Sequence, residues 1–68
     1  MRQVIIYRGE DGYWVMECPS LPGCISQGKT KEEALSNTRE AIDVYIEALK
    51  EDNIPVPEEH FDAILITV

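Results

Sequence analysis

The segment TKEEALSNTREAIDVYIEALKED, residues 30–52, decides the fold, because no other stretch is long and periodic enough to build a core on. Its apolar and small residues recur at steps of three and four, which places them on one face of a helix with 3.6 residues per turn. They are Ala34, Leu35, Thr38, Ala41, Ile42, Tyr45, Ile46 and Leu49. The pattern predicts an amphipathic helix whose apolar face packs against the rest of the chain.

Both ends of this helix are marked in the sequence. Thr30 and Glu33 have the spacing of a capping box, in which the threonine hydroxyl accepts from the amide of Glu33 and the glutamate reaches back to the amide of Thr30. Lys50 suits the negative end of the helix dipole, Asn53 tolerates a left-handed conformation, and Pro55 stops the helix. The helix is therefore predicted to end near residue 52.

Three short strands are predicted before the helix. Residues 4–7 are β-branched and aromatic, and residues 9–12, GEDG, form a turn in which glycine accepts positive φ. Residues 13–18 alternate, with Trp14 on the face predicted to pack on the helix, and residues 24–29 form the third strand. The three strands make an antiparallel meander that runs directly into the helix.

The connection between the second and third strands is a loop with two prolines, residues 19–23. Proline lowers the entropy cost of holding one shape, so the loop is predicted to be rigid. Leu21 at its centre has two alternative roles. It anchors a partner, or it is buried in the core and the loop only connects two strands.

Residues 54–59 are predicted to be an extended linker, and residues 63–68, AILITV, a fourth strand that is apolar on both faces. The element order is β-β-β-α-β. A strand of this kind at the sheet edge is a template for pairing with a second copy, although core packing is the alternative. The residues assigned to self-association are Ile64, Leu65, Ile66 and Val68.

Composition favours one small soluble domain, residues 1–68, that binds a basic partner. The 68 residues carry a net charge of −7. All of the net charge is in the second half of the chain. Residues 1–39 contain five acidic and five basic residues, whereas residues 40–68 contain eight acidic residues and one basic residue, Lys50. Direct nucleic-acid binding is disfavoured. With no membrane span and no signal peptide, a cytoplasmic location is expected.

The acidic residues of the helix define a candidate partner surface. Glu40, Asp43 and Glu47 step by three and four, so they share the outer face, and Glu51 extends this stripe. With Glu58 and Glu59 of the linker, the stripe is predicted to attract a basic protein. The alternative is an ordinary solvated helix face.

Neither catalysis nor a cofactor is indicated. Cys18 and Cys24 are too few for a zinc site, and His60 supplies only a third ligand at no recognised spacing. The two cysteines are predicted to be buried, reduced thiols, a local disulfide being the alternative. Glu17 is the sole acid within the second strand and the first strand has none, so a divalent metal site is not expected, and the chain is predicted not to be an enzyme.

Several segments together resemble the HicB-like antitoxin family. They are DGYWV at 11–15, SLPGC at 20–24, QGKT at 27–30, EEA at 32–34 and EAI at 40–42. The resemblance implies a partial ribonuclease-H-like α+β fold, with the fourth strand parallel to the first and beside it. It also implies an antitoxin that covers the active site of a small basic, HicA-like, RNA-cleaving toxin.

Longer members of that family carry a DNA-binding segment after this domain, whereas this sequence stops at Val68. Operator binding by this chain is therefore not expected. The alternative to the antitoxin function is an orphan, oligomeric domain of the same fold with another ligand.

Overall fold

The computed structural model describes residues 2–59 and 65–68 and shows an α+β fold. The strands are β1 (Ile5–Arg8), β2 (Trp14–Glu17) and β3 (Ile25–Gly28), and the helix is α1 (Lys31–Glu51). The sheet order is β1-β2-β3, and both neighbouring pairs are antiparallel. The predicted meander and helix are confirmed, and each strand end differs by one residue from its prediction.

One of the two hydrogen bonds of the predicted capping box is present at the start of α1. The Thr30 side-chain hydroxyl accepts from the backbone N–H of Glu33 at 3.1 Å. The Glu33 carboxylate, however, accepts from the N–H of Lys29 at 3.4 Å and not from that of Thr30, so the second arm of the predicted capping box is wrong by one residue. At the other end Asn53 has φ 55°, the left-handed conformation predicted for it.

A tight turn joins β1 to β2. The Gly9 N–H donates to the Tyr13 carbonyl at 2.7 Å, and the Gly12 N–H donates to the Gly9 carbonyl at 3.1 Å. Gly12 has φ +85°, a conformation that glycine adopts without steric cost, whereas Gly9 does not need it. The Asp11 carboxylate accepts from the Tyr13 N–H at 3.0 Å and holds the turn in shape.

The loop between β2 and β3 folds into the core. Leu21 is fully buried, and its N–H and carbonyl bond to Cys18 and Cys24 respectively. The two cysteines are themselves joined by a backbone hydrogen bond of 2.9 Å, and both are free, buried thiols, as predicted. The loop is therefore a part of the core, and Leu21 fills its centre.

Helix and sheet come closest at Gly28. A Cβ on this residue would lie 2.5 Å from the backbone nitrogen of Ala34, so only glycine fits. Ala34 is fully buried beneath it, and one turn later the buried Thr38 satisfies its hydroxyl by donating to the Ala34 carbonyl at 2.7 Å. Small residues at these positions let α1 lie directly on β3.

Trp14 is half-buried at the start of β2. The Arg8 guanidinium carbon lies 5.0 Å from the centroid of its ring, and the Lys31 Nζ lies 4.7 Å from it. Both distances are in the range of cation–π interactions. Trp14 thus borders the sheet–helix interface, as predicted, and two cationic side chains cover it.

The helix leaves β1 uncovered. Within the described residues α1 packs on β3 and β2 and has no close backbone contact with β1, whose four residues are all exposed. Ala63 and Ile64 of the predicted fourth strand lie outside the described residues. Residues 65–68 form no strand in this structure and are exposed, so a fourth strand parallel to β1 is not seen.

Candidate partner-binding surface

The four acidic residues predicted on the outer face of α1 lie there together. Glu40, Asp43, Glu47 and Glu51 are all exposed. Within residues 2–59 and 65–68, none of these carboxylates takes part in a hydrogen bond or an ion pair. This set, which we call the acidic stripe, is therefore a row of like charges that the described part of the chain does not neutralise.

An apolar groove runs beside the acidic stripe, between α1 and the start of β3. Its exposed apolar side chains are those of Ile25, 53% exposed, and Val44, 60% exposed. Glu40 of the acidic stripe lines the same groove. The Tyr45 hydroxyl donates to the carbonyl of Pro22 at 2.7 Å and so holds the loop between β2 and β3 against one side of the groove. Apolar contact area with a charged rim is the usual composition of a protein interface.

Sequence reasoning missed Ile25 and Val44. In the helical pattern Val44 falls among the acidic residues, one turn after Glu40 and three residues before Glu47. Because Val44 lies outside the apolar face of the helix, the periodicity of that face does not indicate it. Ile25 carries no comparable signal, because its exposure depends on where the helix crosses the sheet.

The two linker acids have different environments. Glu58 is exposed, whereas Glu59 is half-buried, accepts from the N–H of Gln3 at 2.6 Å and lies 3.8 Å from the guanidinium of Arg2. The neighbouring Ser20 hydroxyl, then the hydrogen bond from Gln3 and the charge of Arg2, hold the pKa of the Glu59 carboxyl below its ordinary value. Glu59 thus fastens the linker to the start of the chain. Its membership of the partner surface stays a prediction, and one of its carboxylate oxygens already accepts from Gln3.

Leu21 occupies the core position that was one of its two predicted alternatives. It was predicted either to anchor a partner or to fill the core, and with 0% exposure it offers a partner no surface. The loop's backbone hydrogen bonds leave its side chain pointing into the cluster formed with Cys18 and Cys24.

The residues predicted for self-association are exposed where the structure describes them. Leu65 and Val68 are fully exposed and Ile66 is 71% exposed, while Ile64 lies outside the described residues. Exposure of large apolar side chains in a continuous segment is typical of a site that contacts another chain.

Two side chains outside the acidic stripe have raised pKa values. Burial, and then the neighbouring Cys18, raise the pKa of the Cys24 thiol and so oppose the reactive thiolate. Local desolvation and the hydrogen bond to Glu17 likewise raise the pKa of Tyr7. Residues 2–59 and 65–68 contain no group of three or more His, Cys, Asp or Glu side chains able to hold a metal ion, and His60 lies outside them. No helix among them combines the length and apolarity needed to cross a bilayer.

A family model described as the HicB-like antitoxin of bacterial toxin-antitoxin systems matches residues 3–65. The UPF0150 protein Ta0767 of Thermoplasma acidophilum is 52% identical over 63 residues, which cover 93% of this chain and 91% of that protein. The UPF0150 protein ssr1765 of Synechocystis is 48% identical over 56 residues, covering 82% and 71% respectively. A 14.9 kDa protein of Haemophilus phage HP1 is 40% identical over 57 residues, covering 84% of this chain and 42% of its own length. No solved structure matches.

Proposed function

We propose, from the premise that this chain belongs to the HicB-like antitoxin family, that it neutralises a small basic, HicA-like, RNA-cleaving toxin by covering the toxin's active site. The observation that carries the proposal is the acidic stripe beside the apolar groove of Ile25 and Val44. Binding requires no catalysis and no cofactor on the antitoxin side, and the proposed location is the cytoplasm.

The acidic stripe supplies long-range attraction. Unneutralised like charges on one helix face produce a negative potential that accelerates encounter with a basic protein and weakens as salt is added. Within the stripe, Asp43 and Glu47 are four residues apart, a spacing that costs an isolated helix about 0.2–0.5 kcal/mol. A cationic partner removes that repulsion on binding, so the same charges that destabilise the free helix favour the complex.

The apolar groove supplies the short-range contact. Ile25 and Val44 are exposed in the free chain, and covering them removes apolar surface from water at about 25 cal/mol per Å². Glu40 at the groove margin and the fixed Tyr45–Pro22 hydrogen bond make the contact directional. A basic protein with an apolar side chain at the centre of its contact patch fits this surface.

We further propose a fourth strand and a homo-oligomeric state. Residues 63–68 are proposed to add a fourth strand beside β1, which completes a partial ribonuclease-H-like sheet, and the chain is proposed to be a homo-oligomer. The exposed apolar residues of 65–68 support both statements. They also support the second candidate function, an orphan oligomeric domain with another ligand.

The first experiment is capture of the tagged chain from its own cell lysate at low and moderate salt, with identification of the proteins that co-purify. A small basic RNA-cleaving protein that is lost as salt rises is the expected result. Recovery of the chain alone, as an oligomer, would favour the orphan domain.

The second experiment measures association rates between the captured protein and charge variants. The triple variant E40K/D43K/E47K should lower the association rate at low salt by about tenfold or more, and the difference should shrink at high salt. D43K and E10K form a matched pair, because each reverses one exposed acid and Glu10 lies in the β1–β2 turn outside the acidic stripe. Equal slowing by D43K and E10K would refute the assigned surface.

A further inference from the structure

Cys18 and Cys24 face each other at the base of the loop between β2 and β3. The register of the two strands ends with Glu17 opposite Ile25, so the next pair along them is Cys18 with Cys24. The Cys18 N–H donates to the Cys24 carbonyl at 2.9 Å, which continues the ladder by one more position. Side chains directly opposite in an antiparallel pair lie on the same face of the sheet. Both thiols are free and buried, and with Leu21 they form one cluster.

The spacing of such a pair suits a disulfide bond. Opposite residues joined by ladder hydrogen bonds have Cα atoms about 5.5 Å apart. In disulfide-bonded cysteines the Cα atoms are about 4.4–6.8 Å apart and the Cβ atoms about 3.5–4.5 Å. Cβ atoms directly opposite across two strands are about 4.5–5.5 Å apart, so the strands need to close only slightly. We propose that Cys18 and Cys24 are a redox pair, which a peroxide oxidises to a disulfide bond and a thiol reductant restores.

The surroundings of the two thiols are compatible with this reaction. A cleft that opens to solvent is lined by both cysteines and by Pro19 and Pro22. This cleft is the route by which a small peroxide reaches the sulfur atoms. The Cys18 Sγ atom lies 3.5 Å from the Ser20 Oγ atom, and that hydroxyl can donate to the sulfur once the thiol proton has left. Oxidation therefore keeps the polar contact of Cys18.

The reaction balances with hydrogen peroxide as the oxidant. The first thiol attacks a peroxide oxygen, the O–O bond breaks, and a sulfenic acid forms while one water is released. The second thiol attacks the sulfenic sulfur, the S–O bond breaks, and the leaving hydroxyl takes up the thiol proton as a second water. Two thiols thus lose two electrons, and the peroxide gains them. Burial raises the pKa of the Cys24 thiol, so the reaction needs peroxide in excess over the protein.

A reversible bridge at this position acts on the loop that completes the core. In reducing compartments disulfide bonds are mostly transient and redox-sensing. The bridge closes residues 18–24, which include the buried Leu21 and the Pro22 carbonyl that accepts from Tyr45. Oxidation should therefore stabilise the loop together with the part of the core that Leu21 fills. This switch does not require a basic partner, because both of its groups belong to the chain itself.

The first test follows the thiols of the whole chain by mass spectrometry. The folded protein is treated with hydrogen peroxide, the peroxide is removed, and free thiols are alkylated with N-ethylmaleimide in urea. The treated chain should lose about 2 Da and take up no alkyl group. After dithiothreitol it should take up two alkyl groups, one for each cysteine. Methionine oxidation adds mass and is not reversed by dithiothreitol, so the two reactions are distinguished.

Trapping of the sulfenic acid tests the pairing. C18S and C24S each keep one thiol, so a sulfenic acid persists in them and reacts with dimedone. In the wild type the second thiol consumes the sulfenic acid, and the dimedone adduct should be at least about tenfold less abundant. C18A and C24A replace the serine variants if a buried hydroxyl prevents folding. Two alkylated thiols after peroxide, a disulfide between two copies, or equal adduct in the wild type and the single variants would each overturn the proposal.

Thermal unfolding tests whether the folded structure accommodates the bridge. Oxidised protein is compared before and after dithiothreitol, so any oxidised methionine is present in both samples. A bridge across this short loop should raise Tm by about 5 °C or more. An equal or lower Tm for the bridged form would show that the folded chain does not place the two cysteines for a bond, and would overturn the proposal.

Discussion

Replacing Gly28 by alanine should destabilise the fold by about 2 kcal/mol. The added Cβ would lie 2.5 Å from the nitrogen of Ala34, 2.8 Å from the carbonyl carbon of Glu33 and 3.0 Å from the Cα of Ala34. All three atoms are backbone, so no side chain can rotate away and α1 itself must move. Overpacking of this kind costs about 1–3 kcal/mol, and alanine recovers only about 0.5 kcal/mol through the lower entropy of its unfolded state.

That loss is large for a chain of this length. At about 0.05–0.15 kcal/mol per residue, a 68-residue domain has a free energy of unfolding of about 3–10 kcal/mol. A loss of 2 kcal/mol should lower Tm by about 8–16 °C. The assay is thermal and urea unfolding followed by circular dichroism at 222 nm, where α1 dominates the signal.

Gly9 provides the matched control. Its added Cβ would meet the Asp11 Oδ1 atom at 3.1 Å, which belongs to a side chain, and two further atoms at 3.4 Å. G9A should therefore cost less than about 1 kcal/mol. If G28A unfolds within about 0.5 kcal/mol of the wild type, or if G9A costs as much as G28A, then close approach at Gly28 does not set the position of α1.

Three further predictions concern the contacts that hold the site in place. T30A removes the cap of α1 and should cost about 1 kcal/mol in urea unfolding, while T30S should keep most of it. Y45F removes the hydrogen bond to Pro22 and should cost about 0.5–1.5 kcal/mol, and a loss of partner affinity larger than this would show that the groove wall has moved. For Glu59 the folded pKa is below the ordinary 4.5, so its stabilisation is present above pH 4.5 and is lost as pH falls through the folded value. E59Q should therefore flatten the acid limb of the stability–pH curve, and an unchanged limb would exclude this contribution.

The local elements could be read from the sequence because their causes are local. Periodicity and the Thr30 cap placed α1, and alternation with glycine turns placed the three strands. The acidic stripe followed from helical spacing alone, and the structure places its four members on one exposed face. Whether this face binds a partner is a separate question that spacing does not answer.

The sequence did not indicate which side chains meet once the chain is folded. Glu59 meets Gln3 across 56 positions, and nothing in the linker's composition indicates that contact. Leu21 is buried because the loop's backbone bonds turn it inward, which its neighbouring prolines do not specify. Ile25 and Val44 became candidates only when the crossing of α1 over β3 defined the groove between them.

The acidic stripe borders apolar surface on both of its sides. Glu40 lines the apolar groove with Ile25 and Val44, and Asp43 lines a second groove with Val4, Leu35 and Ile42 on the β1 side of α1. Charge reversal at Glu40 and at Asp43 therefore changes the margins of two different grooves. If only the apolar groove of Ile25 and Val44 contacts the basic partner, E40K should shorten the lifetime of the complex more than D43K, although both should slow association at low salt. Equal effects of the two variants on the dissociation rate would show that the contact does not distinguish the two sides of α1.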